Sequence, residues 1–356
     1  MPVRPLARFI RKTPEVSAFA LATLLPLALL ALGAVFGGAL AWGALALISL
    51  VTFALDELAA RAFPDAPEEA AFAAADRLSA GLAVAHFAAL GLAVWALCGG
   101  AGLSAASWVA VYLGFGLFFG QLSNANAHEL IHRADRRLFW LGMWVYISLG
   151  FGHHTSAHRL VHHRWAATDD DPSSAALGEG FWAFAPRAWV GGFRAGYEME
   201  QGLRARAGQR RANPYLLYIG GALAVAVAVT AAFGWRGLLA WLALAAYAQL
   251  QLLLSDYVQH YGLRRKMLPD GRPEPIGPGH SWDAPHPASS LWMLNAPRHS
   301  DHHAHPARPY PALRLGDLAP GRPILPRSLP AMAALALVPP LWRRVMDRRV
   351  RALSQV

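Results

Sequence analysis

The chain has 356 residues, 55% of them hydrophobic and 15% charged, with a mean hydropathy of +0.29. Soluble domains carry about a quarter charged residues, so most of this length is not soluble globular protein and a membrane protein is indicated. The net charge of +10 does not argue for a nucleic-acid partner. The basic residues flank apolar runs, at Arg4, Arg8, Arg11 and Lys12 and again at Arg204, Arg206, Arg210 and Arg211, as topogenic charge on the cytoplasmic side does.

In chain order, uncharged apolar runs predict an all-α integral membrane protein with six transmembrane helices, at 17–35, 39–55, 79–98, 104–122, 214–233 and 236–255. Each is roughly 17–20 residues, enough to cross about 30 Å of hydrocarbon. Links as short as "FGG", "GGAGL" and "FGWRG" pair them into three antiparallel hairpins. Residues 137–152 read as an interfacial or re-entrant helix. "LPAMAALALVPPLW", broken by Pro339 and Pro340, also reads as interfacial. The expected organisation is one membrane-embedded domain over 1–356, with histidine-rich segments at 123–213 and 256–327. A basic N-terminus and six crossings place both termini and these segments in the cytoplasm. The first apolar run reads as an anchor rather than a removed signal.

Fourteen of the fifteen histidines fall in those two segments. His86, inside a span, is expected to bond a neighbouring helix or line a cavity. The first group is "NAHELIHR", where His128 and His132 stand at i, i+4 on one helical face. With Glu129 they fit H-E-x-x-H, the zinc-protease pattern, and equally a ligand pair for another metal. The second is "GHHTSAHRLVHHRW", with His158, His162 and His163 preceded by His153 and His154. The third joins His260 of "SDYVQHYGL" to His299, His302 and His303 of "RHSDHHAHP", a segment that Pro297 and Pro306 limit to about two helical turns.

A catalytic zinc needs three protein ligands and an open position, whereas nine or more imidazoles on one side of a membrane would serve two ions. Imidazole suits zinc, copper, iron and nickel alike. Glu129, Asp135, Asp169, Asp170, Asp171, Asp256 and Asp301 are interleaved and could orient ligating rings, although Asp169–Asp171 ahead of Pro172 also reads as a solvated turn. Cys98 is the only cysteine, which excludes a disulfide within the chain, a Cys-x-x-Cys zinc site and a four-cysteine iron–sulfur centre. Electrons for any redox chemistry must come from another protein.

These motifs resemble the membrane-bound alkane 1-monooxygenases, non-haem diiron enzymes of the wider fatty-acid desaturase and hydroxylase superfamily. The resemblance runs from "NAHELIHR" through "HHRWAATDDDPSSAALGEGFWAF" and "DYVQHYGLRR" to "RHSDHHAHPARPYPALR" and "PPLWRRVMD". It implies two irons held by His128, His132, His158, His162, His163, His260, His299, His302 and His303, with His153, His154, His280, His286 and His305 as extras. It further implies O2-dependent hydroxylation of a terminal methyl group to a primary alcohol in a bacterial inner membrane, and electrons from rubredoxin and its NAD(P)H-dependent reductase. Related enzymes acting on aryl methyl groups or fatty-acid termini are the alternative. The chain departs from the family pattern at Ala157 and Gln259, where glutamate is usual, and at Val161, where glycine is common. Phe53, Trp108, Phe115 and Phe119 are candidates for setting substrate length, or ordinary packing residues.

Overall fold

The computed structural model describes residues 15–59, 62–67, 72–208, 212–316 and 321–353. The basic residues Arg4, Arg8, Arg11, Lys12, Arg210 and Arg211 lie outside the described residues. Five helices are long and apolar enough to cross a membrane: α1 Val16–Phe36, α2 Gly38–Ala59, α3 Ala74–Gly100, α4 Ala105–Ile131 and a 46-residue element ending at His260. Their outward faces expose Leu21, Phe36, Leu50, Leu216, Val227 and Trp235. Helices with such apolar faces are stable where lipid covers them, and the chain is an integral membrane protein.

Six separate passes were expected, and the difference lies at Gly234. There the backbone turns to φ 66°, ψ −169°, inside what is otherwise a continuous helical run. A Cβ built on Gly237 would meet the carbonyl of Val229 at 3.5 Å, a contact that a straight helix does not permit across eight residues. The element therefore folds back on itself, and its two limbs are the expected fifth and sixth spans. Gly37 does the same between α1 and α2, at φ 63°, and a Cβ on Gly33 would come within 2.8 Å of the Ala41 backbone. A left-handed residue lets two helices meet with almost no loop.

Close helix approach continues along α4. Gly116 and Gly120, four apart, face the last limb, where a Cβ would lie 2.6 Å from Tyr247 and 2.6 Å from Gln251. This is the small-residue spacing by which membrane helices pack backbone to backbone. His86 behaves as a structural polar residue. Its ring nitrogens bond Ser123 at 2.9 Å and Ser148 at 2.8 Å, tying α3 to α4 and to α5 Arg136–Ser148. Asp135 caps α5 by accepting from Arg137 N–H. Residues 137–152, expected to be interfacial, thus contribute a helix packed on the end of α4.

Where the spans end, the remaining elements are α6, the short run 154–165; α7 Phe181–Arg206; α8 Tyr215–His260, the last span with His260 at its end; α9 Pro287–Trp292; and α10 His299–Ala304. Of these, α6, α8 and α10 carry histidines. Helices α11 Leu329–Ala336 and α12 Pro339–Leu353 close the described chain. Pro339 and Pro340 open α12, because proline fits a first helical turn that needs no N–H donor. Two carboxylates, Asp56 in the last turn of α2 and Asp65 in the segment after it, fasten this layer. Asp56 accepts from the Ala288 and Ser289 amides at the start of α9. Asp65 accepts from Arg298 and from the Leu315 and Gly316 amides. No sheet forms among the described residues, only isolated bridges at Met267–Pro273 and Asp283–Ile324.

Candidate metal centre

The nine histidines that the family resemblance implies as ligands converge from four places in the chain. They divide into one group of His128, His132, His158, His163 and His302 and a second of His162, His260, His299 and His303. Within each group the ring nitrogens lie within 4.8 Å of one another. The two groups touch, with the rings of His163 and His303 4.6 Å apart.

The partition is not the one that α-helical spacing suggests. Residues 157–162 form a π-helical turn, in which i and i+5 rather than i and i+4 align. His158 and His163 therefore face the same group, with their Nε2 atoms 2.9 Å apart. His162 is rotated into the other group, its ring 4.7 Å from His260 and 4.8 Å from His303. Helix α10 divides its histidines too. His302 reaches His163, Nε2 to Nε2 3.0 Å, while His299 meets His260 at 3.0 Å and His303 at 3.1 Å.

These contacts bear on what the groups can hold. His163 Nε2 and His299 Nε2 each face two other Nε2 atoms at about 3 Å, and a neutral imidazole nitrogen, with one proton or one lone pair, cannot satisfy two such contacts by ordinary hydrogen bonds. Ligands at right angles around an ion with bonds of about 2.1 Å are separated by about 3 Å. The Nε2 atoms of His128, His132 and His162 are buried and lack any partner, a costly state for polar atoms without a ligand. The donor set fits metal ions.

Electrostatics agree. Burial, reinforced by neighbouring imidazoles, pushes His132, His158, His163, His299, His302 and His303 well below the usual histidine range. Neutral imidazole is the form that ligates. His162 is the exception. Burial pulls it down, but the Asp171 carboxylate, 2.8 Å from its Nδ1, outweighs that and holds it above the usual range. Asp171 is itself held low: burial would raise it, but His162 and the Ser174 hydroxyl act more strongly. Its neighbours Asp169 and Asp170 are exposed, so the acidic run is a solvated turn at two positions and a histidine partner at the third.

The outer nitrogen of His260 points at the His280 carbonyl, 3.2 Å away. The His280 ring accepts from Gly277 N–H through Nδ1 and faces Glu274 through Nε2. Asp283, which the sequence reading did not single out, accepts from Ser300 N–H and hydroxyl and from Arg322, clamping the first turn of α10. No local pattern in "SWDAP" announces it. Arg298 was also missed. It is buried, bonded to Asp65 and to the Phe63 and Leu313 carbonyls.

The remaining candidates lie outside both groups. His153 packs against Trp189 and Phe193, and His154 against Phe151 and Tyr146. His305 pairs with Asp301 at the surface. Asp256 is buried near His162. Glu129 turns away from the histidines to bond Arg133 and Tyr310 N–H. Phe115 and Phe119 are buried, whereas Phe53 and Trp108 face outward. At Ala157 helix α7 sits directly on the backbone, a Cβ on Gly196 coming 3.1 Å from the Ala157 Cα. A carboxylate reaches this turn from α7, where Glu200 accepts from Ser156. Gln259 donates to the Ala296 carbonyl.

Residues 103–335 match the family model described as fatty acid desaturase. The chain belongs to the fatty acid desaturase family. It is similar to the alkane 1-monooxygenase of Acinetobacter baylyi, 37% identical over 63% of this chain and 55% of that protein. It is similar also to that of Pseudomonas putida, 34% identical over 74% of this chain and 65% of the relative. An alkane 1-monooxygenase of Alcanivorax borkumensis shows 34% identity over the same two shares. The chain thus spans less than two thirds of the length of these curated relatives. The resemblance to alkane 1-monooxygenases expected from the histidine motifs holds across most of the chain.

Proposed function

We propose that the protein is a non-haem diiron monooxygenase that hydroxylates the terminal methyl group of an apolar alkyl chain, alkane to 1-alkanol. The observation that carries this is the convergence of nine histidines, six buried and three half-buried, into two adjoining groups. The similarity to alkane 1-monooxygenases supplies the reaction class. Two irons would be held by His128, His132, His158, His163 and His302 on one side and by His162, His260, His299 and His303 on the other. Iron there would supply the reductive activation of O2 that attack on an unactivated C–H bond requires.

The chain's own residues perform the rest. Burial keeps the rings neutral and ready to ligate, Asp171 and the His280 carbonyl orient His162 and His260, and Asp283 with Arg322 fixes α10. The groups sit at the ends of α4 and α8, so a substrate dissolved in the bilayer approaches between the spans without crossing water. We place this layer, with both termini, on the cytoplasmic side of the inner membrane. There a rubredoxin-like donor and its NAD(P)H-dependent reductase would deliver electrons. The exposed Arg343, Arg344 and Arg348 of α12 offer an acidic donor a basic face. A zinc protease using the HELIH stretch is disfavoured because Glu129, its required base, is engaged with Arg133 and Tyr310.

The test is metal analysis of detergent-purified protein from cells supplied with iron and zinc, followed by turnover of a medium-chain n-alkane with rubredoxin and reductase. Two irons per chain and formation of the 1-alkanol are expected. One zinc without iron, or no hydroxylation at full iron loading, would overturn the reading.

A further inference from the structure

We infer that the two metal positions are separately addressed, and that Asp171 is the positioning residue of the four-histidine position alone. The inference rests on the diiron reading above and deepens it. Its basis is the π-helical turn at 157–162, which sends adjacent residues His162 and His163 to different groups.

A carboxylate touches one of these two rings. Asp171 Oδ2 lies 2.8 Å from His162 Nδ1. Its other bonds, from Ser173 N–H and the Ser174 hydroxyl, hold the carboxylate in place. Ser174 in turn accepts from Ala167 N–H, so the chain leaving α6 is pinned to the same residue. By contrast, no oxygen acceptor bonds a ring nitrogen of His128, His132, His158, His163 or His302 among the described residues; an outer nitrogen is buried without a partner in each group, at His158 and at His303. Oxygen support thus belongs to the four-histidine group, through Asp171 on His162 and the His280 carbonyl on His260.

Such a partner fixes the ring's tautomer and orientation and raises the basicity of the ligating nitrogen. Its removal commonly weakens metal binding about 10–100-fold. With Nδ1 facing a carboxylate, the His162 proton sits at Nδ1 and the lone pair at Nε2, the atom turned into the group. Asp256, also buried nearby, adds negative charge around His162 but makes no bond to the ring among the described residues. The directional role therefore falls to Asp171. His163, one residue away, faces the other group and has no share in it.

The experiment is a metal-buffered titration of the full-length protein in detergent with 57Fe, read by Mössbauer spectroscopy, which reports the two iron environments separately and needs no turnover. Asp171→Asn keeps the side chain's size but removes the charge and leaves one acceptor oxygen where Asp171 uses two, so it cannot serve both Ser173 N–H and the His162 ring. It should move the loading midpoint of one iron signal by about 10–100-fold and leave the other in place. Asp171→Glu, which retains the charge but displaces its oxygens, should shift the same signal. Ser174→Ala, which removes a loop bond without touching the ring, should shift neither. If Asp171→Asn moves both signals together, or neither, the inference is overturned. If the wild-type protein never binds two irons, it is the diiron reading itself that has failed.

Discussion

Gly142 offers a way to push on the centre from behind. It lies on α5 against the end of α4, where a Cβ would come 2.7 Å from Leu130 Cβ, 2.8 Å from the Ala127 carbonyl and 3.2 Å from Ile131 Cγ2. Two of these neighbours are main-chain or Cβ atoms that cannot rotate away. In Gly142→Ala the helices must separate by roughly 0.7 Å to restore ordinary contact. Overpacking of this kind costs about 1–3 kcal/mol, while alanine recovers about 1 kcal/mol of helix propensity, so strain wins or breaks even. Separation moves the last turn of α4, which carries His128 and His132. Metal–ligand distances tolerate only about 0.2 Å. If the metal-free protein relaxes by letting α5 retreat, the strain falls on the loaded form, and affinity at the five-histidine group should drop about 5–150-fold. The assay is competition for iron against a chelator of known affinity, with Gly81→Ala as control, since a Cβ there meets nothing within 4 Å. An unchanged midpoint in Gly142→Ala would refute the claim that this contact sets the position of His128 and His132.

Three further outcomes follow from the same geometry. Glu129→Gln should keep both irons and most hydroxylation, because a glutamine oxygen still accepts from Tyr310 N–H; loss of all activity with the metal intact would restore Glu129 to a catalytic role. His86→Phe removes two buried hydrogen bonds, to Ser123 and Ser148. It should lower thermal stability in detergent by about 1–3 kcal/mol with no change in iron content, and iron loss would make His86 part of the centre. His153 is lowered by burial to about 3, so its contribution is complete above its ordinary range near 6.5 and lost as pH falls toward the folded value. Between those limits the unfolded chain binds the extra proton, which costs about 2 kcal/mol by pH 5. His153→Phe should flatten the acid side of the stability profile by that amount, and an unaltered profile would show that the nest of Trp189 and Phe193 does not exclude the charged ring.

The membrane-crossing part of the fold was legible because uncharged runs of fixed length have few alternatives in a protein this apolar. Even the break within the 46-residue element at Gly234 was announced by "FGWRG". What could not be read was packing. The close contact of Gly116 and Gly120 with α8 depends on which faces meet. Asp56 at the end of α2 and Asp65 beyond it, neither in any motif, serve as anchors for α9 and α10 only because the chain returns some 230 residues later. Long-range partnerships of this kind leave no local pattern, since a single carboxylate near a helix end is ordinary in any sequence.

The ligand candidates were legible for a different reason. Five histidines within eleven residues have no packing rationale, and a burial site for so many imidazoles exists only if something satisfies their nitrogens. Their division into five and four was not legible, because spacing was read with the α-helical period, which keeps His158 and His162 together. The π-helical turn substitutes a five-residue period over one turn, and no residue type in "AHRLVH" announces it. The same turn explains why Asp171 differs from Asp169 and Asp170. By rotating His162 away from His158 and His163, it brings the His162 Nδ1 edge to the one carboxylate of the three that is buried, so that a run of identical residues acquires a single functional member from the geometry of its partner.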